Sequence, residues 1–134
     1  MDAHMITLTL PFPPTVNNYK RIGRLTRTKS GKIFQPRINS DATRRFYYEV
    51  WIKVKGLQIE SLGDSPISLE IDVYPPDKRK RDIDNIIKPT VDSLMNSGLF
   101  DDDYQISKLL VIRREVFSGG KIVVKIVTYR DSFS

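Results

Sequence analysis

Asp82 and Asp84 stand two residues apart in the stretch "RDIDNIIKPTVD", with Lys88 four residues beyond the second acid. The run Lys78, Arg79, Lys80, Arg81 ends directly against the first. Two like charges brought together are unfavourable unless a cation lies between them. Magnesium suits such a pair, because it takes a few carboxylate oxygens and keeps several waters. A second acidic cluster, Asp101, Asp102 and Asp103, precedes Tyr104. A calcium loop of the EF-hand kind is excluded, since its fifth position needs oxygen and its sixth glycine, where Ile86 and Ile87 stand. Each feature alone has a plainer reading. The spaced acid pair is common, the basic run can be a solvated turn, and Lys88 can simply pair with Asp84 or Asp92 one turn away. The acid triplet can be a solvated loop, and Asn17 and Asn18 can be turn residues. Together they put metal-competent carboxylates beside phosphate-competent cations. The cations would hold a phosphodiester backbone, and the acids would hold the metal that attacks it.

Composition narrows the chemistry further. The chain has 134 residues, one histidine at position 4 and no cysteine, so thiolate chemistry, disulfides and histidine metal clusters are ruled out as designs. Any catalysis runs on carboxylates, lysine, hydroxyls or an oxygen-held metal. The net charge of +6 is unevenly spread: residues 1–55 hold 11 Lys/Arg against 3 Asp/Glu, and residues 56–134 hold 11 against 13. A basic half beside a weakly acidic one points to a polyanion, best a nucleic acid. No apolar run approaches the roughly 18 residues of a membrane span, and no basic–apolar–small leader opens the chain, so no membrane partner is expected.

The elements that must position these residues follow from periodicity. Ile6, Leu8 and Leu10 alternate up to Pro11, as a half-buried strand does. Residues 16–36 form a basic loop or flexible hairpin carrying Lys20, Arg21, Arg24, Arg27, Lys29 and Lys32. A helix begins at a Ser40 or Asp41 cap and buries Phe46, Val50, Val54 and Leu57. Ile67, Leu69, Ile71 and Val73 alternate before two prolines: a strand. Ile83, Ile87, Val91, Leu94 and Met95 recur with helical spacing, and Gly98 suits the position after the helix end. Pro89 is tolerated only in a first turn, so this helix starts near Asn85 or Ile86. Asp82 and Asp84 then lie on the extended approach, where residues two apart face the same way and converge in partial burial. The remaining chain reads as two strands, about 105–117 and 121–129, forming a hairpin at "SGG". Asp103 returns to the first pair if the strand from 105 lies beside the strand ending at 74. The whole is a single α+β domain over residues 1–134, a small mixed sheet covered by two helices.

With "RDIDNIIKPTVDSL" followed by "GLFDDDYQI", a basic run before and a strand after, the chain resembles the RusA-type Holliday junction resolvases. The amino-terminal "LPFPPTVNNY" is similar to that family's apolar–Pro–Pro–Asn opening, so the resemblance spans nearly the whole chain. It implies a homodimer that cuts four-way junction DNA with Mg2+, for which Mn2+ can substitute, by paired symmetric nicks in recombination and repair. It also implies a cytoplasmic, nucleoid-associated setting in a bacterium or phage-infected cell. By position, Asp82 and Asp84 match the family's paired catalytic aspartates, Asp103 its third acid, and Lys88 its essential lysine. Asp102 has an acidic counterpart, whereas Asp101 is an extra charge here. Lys78, Arg79, Lys80 and Arg81 match the DNA-contacting run, to which Lys20, Arg21 and Arg24 add further cations; the basic segment to Arg37 looks extended relative to the family's shortest members. Trp51 and Phe100 serve the core, a dimer contact or a wedge at the crossover. Two alternatives stay open: a less selective flap or fork nuclease, and a DNA-binding module without catalysis. RNA binding is weaker, for want of an aromatic–basic stacking motif.

Overall fold

Alternating apolar residues build one face of a four-stranded mixed sheet. The structure is a computed structural model and describes residues 3–15, 20–34 and 37–129. Its strands are β1 (Ala3–Pro11), β6 (Ile67–Tyr74), β7 (Ile106–Arg113) and β8 (Lys121–Tyr129), in the spatial order β1-β8-β6-β7. β8 runs antiparallel to both β1 and β6, and β7 runs parallel to β6. Cross-strand register aligns Leu10 with Ile122 and Leu8 with Val124 on one side of β8, and Ile71 with Val124 and Leu69 with Ile126 on the other. These side chains are almost wholly buried and form one cluster with residues of both helices. Each such burial is worth about 1.5–3 kcal/mol, so the inward face fixes the register.

α1 (Asp41–Gly56) is capped by Ser40, whose hydroxyl accepts from the Thr43 amide at 3.1 Å. Phe46, Val50 and Val54 form its buried stripe, and the helix packs on β1 and on α2 (Ile87–Asn96). α2 carries Pro89 in its first turn, where the missing amide costs nothing. It ends in a Schellman turn: Gly98, at φ 82°, donates to Met95 at 2.9 Å and Leu99 to Leu94 at 3.3 Å. Leu99 and Phe100 then plunge into the core at 1% exposure each, which settles Phe100 as a packing residue.

Between β1 and α1, β2 (Lys20–Ile22) pairs with β5 (Arg37–Asn39), and β3 (Thr26–Arg27) with β4 (Ile33–Phe34). The described part of the basic segment is therefore the expected hairpin, closed by a turn in which the Thr28 amide donates to the Lys32 carbonyl at 2.8 Å.

One expectation is overturned. The last two strands form no hairpin, because β6 lies between them. The reason is burial: β8 offers Ile122, Val124 and Ile126, all fully buried, and takes an interior place, whereas the mostly exposed β7 takes the edge. β7 also stops at Arg113, and residues 114–120 cross to β8 through Gly119 and Gly120, both at positive φ. Gly120 is obligatory on a second count, since a Cβ there would lie 2.8 Å from that of Phe12.

Candidate active site

The connection from β6 to β7 carries every acid singled out in the sequence. It leaves β6 at Tyr74, passes the loop 75–82, makes a 3-10 turn over Ile83–Ile86 and enters α2. Buried Ile86 anchors that turn. Asp82 sits just before it on extended backbone (φ −76°, ψ 130°), but Asp84 is inside it. This corrects the expectation that both acids share an extended segment: the helical turn begins earlier so that Ile86 can reach the core. Residues two apart on a 3-10 turn point in different directions. Both carboxylates, and Lys88, are exposed to solvent, not partly buried.

The cationic run is not a uniform patch. Asp77 gathers two of its four members. Its carboxylate accepts from the Arg81 guanidinium at 2.6 and 3.0 Å, and from the Arg79 amide at 2.9 Å and guanidinium at 3.1 and 3.3 Å. These bonds, led by that from Arg81, hold the Asp77 carboxyl far below the usual carboxylate range. Arg81 also lies 5.9 Å from the Phe12 ring centre, and its carbonyl accepts from Arg113 at the end of β7 at 2.5 Å. Among the described residues Lys78 and Lys80 have no ion pair, and both are exposed. The loop thus alternates a clasped guanidinium with a free ammonium. A cleft of about 620 Å³ runs between this loop and residues 113–116; Phe12, Arg81, Asp82, Asn85 and Arg113 are among its walls. It lies at the carboxyl ends of the parallel pair β6 and β7, where open α/β sheets commonly bind ligands.

The acid triplet is a built turn. Asp102 caps a 3-10 turn over Asp103–Gln105, accepting from the Tyr104 amide at 3.2 Å. Gln105, 7% exposed, closes the capping box by accepting from the Asp101 and Asp102 amides at 3.0 and 2.8 Å. Its amide group donates to the Gly63 and Ser65 carbonyls at 3.0 and 2.7 Å. Asp103 projects beside Asp102. A hydrogen bond shared with Asp102 raises the Asp103 carboxyl, helped by slight desolvation and the charges of Asp102 and Asp92 and opposed by Lys88. Asp102 is lowered, first by the Tyr104 amide and then by Asp103. Lys88 in turn pairs with Asp92 at 3.2 Å.

The structure therefore brings Asp103 to Lys88 and Asp92 on α2. Because β7 is parallel to β6, Ile106 registers with Ile67 at the far end of β6 from Tyr74, which corrects the expected return of the chain. Among the described residues no three carboxylates or imidazoles converge into a metal-holding group. The donor set nevertheless fits a hard divalent ion. It is all carboxylate and solvent-facing, the Asp102 and Asp103 carboxylates lie close enough for a hydrogen bond and like charge to raise the Asp103 carboxyl, and magnesium needs only one or two carboxylates plus water. Arg24 is exposed, nothing is described of the Lys20 and Arg21 side chains, and Asn17 and Asn18 lie outside the described residues.

Sequence reasoning missed Asp77, Gln105 and Arg113. The first two had signals: an acid two and four residues before arginines, and the D-x-x-Q spacing of a capping box. Arg113 had none, since its role depends on strand pairing.

Residues 11–127 match the family model described as Endodeoxyribonuclease RusA. The chain is 31% identical to the crossover junction endodeoxyribonuclease rusA of Enterobacteria phage HK97, over 87% of this chain and 89% of that one. It is 30% identical to the protein of the same name from Enterobacteria phage 82, covering 89% and 91%. The RusA protein of Escherichia coli strain K12 is 30% identical, covering 90% and 92%. No described helix is long and apolar enough to cross a membrane.

Proposed function

This chain belongs to the endodeoxyribonuclease RusA family, and from that premise we propose that it resolves four-way DNA junctions by metal-dependent hydrolysis of a phosphodiester. What carries the reading is the position of Asp82 at the rim of the cleft, directly after a loop that presents Lys78 and Lys80 to solvent. A strand seated on those ammonium groups would run past Asp82. Asp84 and Lys88 follow on the same connection, and Asp103 stands next to Lys88.

The ion, Mg2+ or Mn2+, would be held by Asp82 and Asp84 with water in its remaining positions, and Asp103, which stands with Lys88 and Asp92, would complete the set by closing toward them. When bound it lowers the pKa of water and offsets charge on the phosphate oxygens. Water oxygen forms the new bond to phosphorus, and the bond from phosphorus to the 3′ oxygen breaks. The products are a 5′-phosphate and a 3′-hydroxyl that takes up the proton. Lys88, held through Asp92, orients the attacking water or neutralises the transition state. Lys78 and Lys80 bind backbone phosphate without reading sequence, so binding weakens with salt by about 0.9 log units per contact per log unit. Arg81, kept by Asp77, walls the cleft. Residues 1–134 act as one nuclease domain, and two copies about a two-fold axis would nick opposite strands symmetrically.

The test is Asp82→Asn, which keeps shape and removes a charged ligand, with a labelled mobile four-way junction, a flap and a plain duplex compared under one condition. The expected result is junction nicking by the native protein, and by the variant, junction binding without cutting. Wild-type cleavage by the variant overturns the assignment, and equal cutting of all three substrates overturns junction selectivity.

A further inference from the structure

The outward face of α1 carries residues that neither the acid site nor the core uses. Arg44, Arg45, Tyr48, Trp51, Ile52 and Lys55 recur at three- and four-residue intervals and are all exposed. Tyr48 is 63% exposed and Trp51 43%. Their rings lie 12° from parallel with centres 6.4 Å apart, and the Lys55 ammonium stands 5.8 Å from the Trp51 ring centre. Large aromatic side chains left in water mark an interaction surface. The cations around them say of what kind. Arg44 pairs with Asp41 at 2.5 Å, which leaves Arg45 and Lys55 on either side of the Tyr48–Trp51 pair along the helix, in the half of the chain where 11 Lys/Arg face 3 Asp/Glu. A ligand that offers both negative charge and flat π faces satisfies both features at once.

We propose that this face of α1 is a second nucleic-acid site, taking unpaired nucleotides by stacking their bases on Tyr48 and Trp51 while Arg45 and Lys55 hold the phosphates. A single strand fits and a duplex does not, since paired bases keep their faces covered by one another. The inference shares the nucleic-acid ligand of the reading above but is independent of cleavage.

Trp51 is the chain's one tryptophan, so its emission reports on this face alone. The experiment titrates the full chain, in chelator without divalent metal, with oligothymidine about 12 nucleotides long. The expected result is a fall in Trp51 emission, and at least a fivefold loss of affinity by anisotropy in Tyr48→Ala and Trp51→Ala. Trp51→Phe should retain most of the affinity. Unchanged emission at saturation overturns the proposal, as does equal quenching by an abasic oligomer of the same length. So does a change of assembly size in Trp51→Ala, which would make the face a contact between copies. Because no arm depends on cutting, failure here leaves the Asp82→Asn test of catalysis untouched.

Discussion

Arg81 grips both carboxylate oxygens of Asp77, at 2.6 and 3.0 Å, so an acid organises the cationic loop from within. Asp77→Ala should free two guanidiniums. Junction affinity at low salt would then hold or rise, and the salt slope should steepen by about one unit per added phosphate contact. Cleavage should nevertheless fall by about tenfold to hundredfold, because the loop that positions Asp82 loses its fastening. Affinity measured across salt, beside single-turnover cleavage, checks the split. The Asp77 carboxyl is depressed in the fold, so its contribution to stability is present above its unfolded pKa. That contribution disappears only as pH falls through the depressed folded value.

Asp102 and Asp103 should titrate on opposite sides of the ordinary value of 3.8. Asp103, raised in the fold, contributes stability while protonated at low pH and loses it as pH rises through its folded pKa. Asp102, depressed in the fold, contributes above its unfolded pKa and loses that as pH falls through its folded one. Carboxyl NMR should show the two midpoints moving apart, with Asp103 shifted down by Asp92→Asn and up by Lys88→Met. Added Mg2+ should lower the Asp103 midpoint if that carboxylate is a ligand.

Gln105→Ala removes four hydrogen bonds from a nearly buried side chain and unpins the acid turn from residues 63–65. The expected loss is about 2–4 kcal/mol, read by urea denaturation. Gln105→Glu should restore little, because it cannot donate to the Gly63 and Ser65 carbonyls.

Gly120→Ala should destabilise more than Gly119→Ala. Both residues sit at positive φ, but only at Gly120 would the new methyl strike Phe12 and Pro76. Strain alone costs about 1–3 kcal/mol, and the collision adds to it. Because Phe12 underlies Arg81, Gly120→Ala should also weaken cleavage, and Gly119→Ala should not.

Local patterns in the chain carried the helices, their caps and the inward strands: Ser40, Pro89 and Gly98 each do what their type dictates. Pairing did not follow from them. β7 and β8 are adjacent in sequence, and only the full burial of Ile122, Val124 and Ile126 tells that β8 belongs inside the sheet. Asp84 was misplaced for a related reason, since the demand of Ile86 for the core starts a turn that propensity alone does not announce. The cationic run read as four equal charges because Asp77 was counted as one more charge, whereas its bonds to Arg79 and Arg81 divide the run in two.

The placement of β8 between β1 and β6 has a consequence for how the molecule comes into being. β1 finds its neighbour only in β8, with Pro11 facing Lys121, so the sheet cannot be completed until residues 121–129 have been made. Such distant pairing slows folding and leaves the apolar side of β1 uncovered in the meantime. A chain stopped short of residues 121–129 would keep the acid cluster and both helices in its sequence and still have no scaffold to hold them.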